Sequence, residues 1–298
     1  MKYVLLKNNG VCMGRWRVSG DMLEPERMTF CEGRERPEAV PVLRGTPALV
    51  AAAVLAAERI GAEPPEVLLV GDQGTSEGSL RLYSHLASWL LSPQSDRLAG
   101  LTFHYLFPSV DGHNRILMAL EERKSGMPVL IADAGFMYAA KMSGYASKYD
   151  VFTPDAGELA FLADEKAPHP FYTRGFLLSE SGRADDLAKL AWEHGDSAGI
   201  LLVKGAVDLV MEKGREAGRV SEPCLPYMEP VGGTGDLVTG LLTAFASAGF
   251  PLVTACMLAA QGARCVGEKT QPVPSTGISA FMPFVAEGVS EALNRIQH

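Results

Sequence analysis

The sequence has no run of basic residues, and its charges sum to −8. That balance argues against nucleic acid as a partner and against binding to an anionic membrane surface. Cysteine is sparse: Cys12, Cys31, Cys224, Cys256 and Cys265 are scattered, odd in number and never spaced C-x-x-C. The pattern excludes a disulfide framework and a cysteine zinc site, so the cytoplasm is the expected compartment. No apolar run approaches the roughly 18 residues of a membrane span, and Met1–Lys7 is too short for a signal-peptide core, so a soluble chain is expected. His85, His104, His113, His169, His194 and His298 never fall into the H-E-x-x-H spacing of a metal-binding helix. Ser76-Glu77-Gly78-Ser79 lacks the strand–elbow pattern of a hydrolase nucleophile, and Gly71-Asp72-Gln73-Gly74 lacks the last glycine of a dinucleotide loop.

What is present is a chain of 298 residues, 47% hydrophobic and 21% charged, enough for one large α/β domain with ample core. Short apolar runs at 67–70, 101–107, 127–131, 150–153 and 200–203 read as strands, and amphipathic or apolar stretches between them read as helices. Strands alternating with helices at this spacing predict a mostly parallel central sheet with helices on both faces, a three-layer α/β/α fold. Residues 207–228 read as a short antiparallel appendix. Thr46-Pro47 reads as a helix N-cap and first turn, and Gly61 as the C-cap that ends the helix. No internal repeat or low-complexity linker appears, so residues 1–298 are expected to form a single domain. Residues 1–44 are the segment least defined by pattern: Asn8-Asn9-Gly10 is a hairpin-turn signal, and the charged, proline-containing stretch Glu24–Arg36 reads as irregular surface.

The chain is organised around Val231-Gly232-Gly233-Thr234-Gly235-Asp236, followed at once by apolar residues at helical spacing. Glycines packed so densely lower helix propensity and serve instead to let consecutive backbone N–H groups point one way. At the positive end of a helix dipole this makes an anion site, for which Gly232, Gly233, Thr234 and Gly235 are the candidates. Asp236, in the first helical turn, complements the dipole; beside a bound phosphate its role is that of a base taking a proton from a substrate hydroxyl.

Ligands of parallel sheets collect at the carboxyl ends of the strands. Asp133, Asp155, Glu158 and Lys204, with Gly205, all follow such ends. Each also has a structural reading. Asp133 is placed to cap a helix, Asp155 and Glu158 have capping-box spacing, and Lys204 is placed as a snorkelling surface lysine. In the functional reading Lys204 holds a phosphate oxygen, and Asp133, Asp155 and Glu158 lie near substrate or Mg2+.

The Gly232–Asp236 turn resembles the anion hole and catalytic base of the ribokinase-like superfamily. Within it, Thr153-Pro154-Asp155-Ala156-Gly157-Glu158, Val203-Lys204-Gly205, the helix around Ala255–Gly262 and Thr276-Gly277 resemble segments of the NAD(P)H-hydrate dehydratase family, once catalogued as carbohydrate kinases. The chain departs from that family at Asp155, Ala156 and Gln261, and its glycine-rich middle loop is not recognisable at Phe107–Gly112. The resemblance implies a ribokinase-like fold, ATP or ADP with Mg2+ as cofactors, Gln261 near the nucleotide and a small-molecule substrate. It implies an ATP/ADP-dependent hydro-lyase. A sugar or vitamin kinase, or a nucleotide-binding protein without turnover, is the alternative, and a homo-oligomer is left open.

Overall fold

The structure, a computed structural model, describes residues 10–32, 37–72, 74–170 and 184–296. The chain opens with β1 (Val11–Ser19), β2 (Met22–Cys31) and β3 (Val40–Pro41), followed by α1 (Thr46–Ile60), β4 (Val67–Val70) and α2 (Glu77–Leu90). Next come β5 (Gly100–Phe103), α3 (Val110–Glu121), β6 (Val129–Ala132), α4 (Gly135–Met142), β7 (Val151–Phe152) and α5 (Ala156–Ala163). The remainder is α6 (Ala184–Glu193), β8 (Ile200–Val203), β9 (Asp208–Glu212), β10 (Arg215–Val220), α7 (Thr234–Ser247), α8 (Leu252–Thr270) and α9 (Val285–Ile296).

Strands β10-β9-β8-β7-β6-β5 form a six-stranded sheet in that order, parallel from β5 to β8 and antiparallel where β9 and β10 join. Successive side chains of a strand point to opposite faces, and here both faces are apolar. Ile131, Val151, Ile200 and Leu202 share one buried cluster with residues of α1, α7, α8 and α9. Leu130, Ala132, Phe152, Leu201 and Val203 share the other with residues of α2 to α6. Two apolar faces, each covered by helices, make the three layers of an α/β/α fold. The middle of helix α7 is buried: the Cβ missing from Gly240 would fall 2.4 Å from the Leu49 carbonyl of α1, so only glycine lets the two helices approach this closely.

The N-terminal part departs from expectation. Strand β4 pairs antiparallel with β1, and β3-β2-β1-β4 form a separate four-stranded sheet, so 67–70 is not part of the parallel series. Residues 24–31, expected as irregular surface, belong to β2. Polar side chains suit a strand with one face in water, and Pro25 is tolerated because it lies at a register shift in the β1–β2 ladder. The hairpin turn is at Gly20-Asp21, with Gly20 at φ 61°; Asn8 and Asn9 lie outside the described residues. In the appendix, β9 and β10 form the expected antiparallel pair, but Pro226–Met228 is a 3-10 turn rather than a strand. The strand expected over 101–107 stops at Phe103, and Tyr105 takes φ 45° as the chain leaves the sheet.

Candidate active site

The parallel strands end almost in register, so residues one step beyond them fall along one edge. Phe103 and Ala132 pair, as do Ala132 and Phe152, which places His104, Asp133 and Thr153 side by side. Lys204 follows β8 on the same edge, its N–H donating to the Pro154 carbonyl at 2.8 Å. Helix α7 crosses above them. Its Thr239 donates to Asp133 Oδ2 at 2.6 Å and lies 3.1 Å from the Thr153 hydroxyl; Thr243 lies 2.9 Å from the Thr102 hydroxyl. These threonines tie the helix to the strand ends and fix where its first turn sits.

That first turn is the glycine segment. Gly233 takes φ 108°, a conformation reserved for glycine, and a Cβ there would fall 2.9 Å from Ile278. Gly235 lies against the Lys204 side chain, whose Nζ would be 3.4 Å from an added Cβ. Gly232 is exposed and Gly233 to Gly235 are half-buried, so the turn opens outward. The first N–H groups of α7 have no acceptor within their own helix, as at any helix start. The Thr234 hydroxyl donates to the Val231 carbonyl at 3.2 Å, so its side chain shapes the turn.

Asp236 is buried beneath it. Its Oδ2 accepts the Gly45 N–H at 2.6 Å, and its Oδ1 lies 2.9 Å from His104 Nε2. The Thr46 hydroxyl meets His104 Nδ1 at 2.9 Å. Thr46 therefore does not cap α1 as the sequence suggests: Gly45 is the N-cap, at φ 69°, and the hydroxyl is committed to the histidine.

Asp133 is paired with Lys204 at 2.9 Å and lies 3.8 Å from His104 Nε2. Burial alone would raise the Asp133 carboxyl, but Lys204 and then His104 outweigh it and hold it below the ordinary range. Burial likewise opposes the charge on Lys204, and Asp133 and Glu158 overcome it, so the ammonium is held more firmly than usual. Lys204 is thus no snorkelling surface residue.

Asp155 and Glu158 form the capping box of α5: Asp155 Oδ1 accepts the Glu158 N–H, and Glu158 Oε2 accepts the Asp155 N–H, both at 2.8 Å. Burial pushes the Glu158 carboxyl up to about 8, against the pull of Lys204.

His104, Asp133 and Asp236 are, among the described residues, a group whose ligand atoms lie within 4.8 Å of one another. Yet Asp133 is neutralised by Lys204, and His104 is hydrogen-bonded at both ring nitrogens. Magnesium prefers six oxygen ligands, so these residues do not build a cage for it.

Gln261 and Gly205 lie apart from this cluster. Gln261 donates to the Glu222 carbonyl at 2.9 Å from the middle of α8. The Gly205 N–H donates to Asp208 at 3.0 Å, and Arg264, itself paired with Asp208, donates to the Gly205 carbonyl at 3.1 Å. Both are thereby held in the wall beyond β8. Sequence reading missed Thr46, His104 and Arg44, the last with its Cδ 3.6 Å from where a Gly232 Cβ would be. A cation beside an open glycine turn suits a phosphate. Gly71-Asp72 is structural: Asp72 accepts the N–H groups of Gly74, Ser76 and Ser79 and orders the start of α2.

Replacing Lys204 by Met leaves Asp133 buried without its partner, a loss of about 3–5 kcal/mol at pH 7. A depressed carboxyl stabilises the fold above its unfolded value, near 3.8, and that contribution is lost as pH falls through the folded value. The wild-type advantage over Lys204→Met should therefore be large at pH 7 and shrink only as pH falls below about 3.8, measured by urea unfolding. A gap that stays equal through that fall would mean that the pair does not carry this charge.

No protein-family model matches the chain. The uncharacterized protein MJ1337 of Methanocaldococcus jannaschii is 32% identical over 229 residues, 76% of this chain and 92% of that protein. A bifunctional NAD(P)H-hydrate repair enzyme of Pyrobaculum aerophilum is 31% identical over 126 residues, 42% of this chain and 22% of the enzyme. Among solved structures, the ADP/ATP-dependent NAD(P)H-hydrate dehydratase of Bacillus subtilis superposes with a TM-score of 0.51 at 14% identity, over 83% of this chain and 86% of that one. Ribokinase of Thermotoga maritima gives 0.51 at 12% identity, over 91% of each. With the sheet order, the covered faces and the glycine turn already described, the structural likenesses give the chain a ribokinase-like fold, and the chain belongs to one family with the uncharacterized protein MJ1337.

Proposed function

We propose that the protein is a nucleotide-dependent enzyme of the NAD(P)H-hydrate dehydratase type, using ATP or ADP on a small-molecule substrate in the cytoplasm. The observation that carries the proposal is a buried carboxylate, Asp236, at the head of a glycine-turn helix, with Lys204 and Arg44 beside the turn. Phosphoryl transfer needs little covalent chemistry from a protein. It needs a positioned base at the attacking hydroxyl and fixed positive potential around the phosphoryl group. Asp236 supplies the first. The free N–H groups of α7 and the cations at Gly232 and Gly235 supply the second. Magnesium enters this scheme only as the counter-ion of the nucleotide phosphates, and no step is assigned to it.

In the dehydratase version the hydroxyl of a hydrated nicotinamide ring attacks the terminal phosphoryl group and gives its proton to Asp236, and the bond to the rest of the nucleotide breaks to release ADP from ATP or AMP from ADP. The ring nitrogen's electron pair then expels phosphate to leave an iminium, and loss of the proton on the neighbouring ring carbon reforms the carbon–carbon double bond. In the kinase version the phosphorylated alcohol is the product. The fold does not separate them, since dehydratase and ribokinase superpose equally well. The stretch shared with the repair enzyme favours the dehydratase.

Hydrated NADH supplied with ATP, and separately with ADP, should regain its nicotinamide absorbance in step with the appearance of free phosphate. No recovery, together with stable phosphorylation of a sugar or vitamin alcohol, would overturn the dehydratase and leave the kinase.

A further inference from the structure

His104 is buried, its side chain 3% exposed, and it touches the proposed base directly. An ionised carboxylate has no proton to give, so the 2.9 Å contact requires His104 Nε2 to donate to Asp236 Oδ1. In the neutral ring Nδ1 is then an acceptor, and the Thr46 hydroxyl at 2.9 Å is its donor. The ring is also braced edge-on by Tyr105, with centroids 4.3 Å apart. Thr46 begins α1 and Asp236 lies in the first turn of α7, so the imidazole joins the heads of two helices.

We propose that His104 is a positioning residue for proton transfer at Asp236, with Thr46 fixing its tautomer. The proposal rests on the assignment of Asp236 as base. Each carboxylate oxygen carries more than one lone pair. With Oδ2 held by the Gly45 N–H and Oδ1 by His104, the carboxylate is fixed at both oxygens, and each keeps a further lone pair for a proton. Without His104 the carboxylate is held on one side only. A misplacement of about 1 Å at a reacting group can cost roughly 10²-fold in rate. Nucleotide binding uses the backbone N–H groups and cations instead and should not respond.

The test measures phosphate release from ATP, with and without hydrated NADH, beside ADP affinity by calorimetry. His104→Leu should lower kcat by roughly 10–100-fold with the ADP Kd and nucleotide KM nearly unchanged. His104→Gln can place an amide N–H near the Nε2 position and should recover much of that loss. Thr46→Val should lose less than His104→Leu, because the ring keeps its bond to Asp236. Combining His104→Leu with Asp236→Asn should be no worse than Asp236→Asn alone, since residues acting through one group are not additive.

Wild-type kcat in His104→Leu, or a loss that adds fully to that of Asp236→Asn, would overturn the proposal while leaving Asp236 as base. Full turnover in Asp236→Asn would instead remove the base, and the positioning role with it. Should His104→Leu not fold, the Gln and Val variants decide: without rescue by Gln relative to Asn at the same position, and without any effect of Val, the proposal fails.

Discussion

Asp236→Asn is expected to keep its fold and its affinity for nucleotide while losing roughly 10²–10⁴-fold in turnover, the usual worth of a general base. The surroundings of the side chain explain why the fold should survive. The amide oxygen can still accept the Gly45 N–H that Oδ2 accepts at 2.6 Å. The amide NH2 would then face His104 Nε2, and the ring can shift its proton to Nδ1, where the Thr46 hydroxyl becomes the acceptor. Geometry is retained and basicity is lost. Thermal melting, ADP titration and phosphate release on the same preparation separate these quantities. A destabilised variant with normal specific activity would show that Asp236 serves the helix dipole instead.

The second large effect is expected at the glycine turn. Gly235 is helical, so its replacement by Val involves no left-handed strain; its Cβ would rest in ordinary contact with Lys204, 3.4 Å from Nζ, and the two further methyl groups would crowd the first N–H groups of α7. Gly233→Val adds backbone strain at φ 108° and a clash with Ile278, so it also threatens the fold. Gly235→Val is therefore the cleaner variant. Two charge-assisted hydrogen bonds at about 1.5–3 kcal/mol each correspond to a loss in nucleotide affinity of roughly 10²-fold or more. Lys204→Met should weaken binding less, since it removes one charged contact and leaves the amides in place. Unchanged ADP affinity in Gly235→Val would take the phosphate away from this turn.

Much of this edge could be read from local pattern. Asp133 and Lys204 each follow an apolar run, and a parallel sheet collects such ends in one place, while the glycine turn is marked by its own composition. The same pattern could not reveal His104 or Thr46. Their contacts to one another and to Asp236 join residues 58 and 132 positions apart, and neither lies in a motif of its own. Thr46 even carries a misleading local signal, since Thr-Pro before an apolar helix looks like a cap. Strand β2 was obscured by its charges and by Pro25, which a register shift accommodates. Strand β4 has the same apolar run as the parallel strands and differs only in its partner, the antiparallel β1. Asp155 and Glu158 were legible twice over, and the capping-box reading describes their hydrogen bonds.

The most direct test of the account is where a bound nucleotide puts its phosphates. A crystal structure with a non-hydrolysable ATP analogue should place the terminal phosphate oxygens within hydrogen-bonding distance of the N–H groups of Gly233 to Asp236, facing Asp236 and within reach of Lys204 or Arg44. An analogue bound elsewhere, or a glycine turn left empty at saturating concentration, would contradict it.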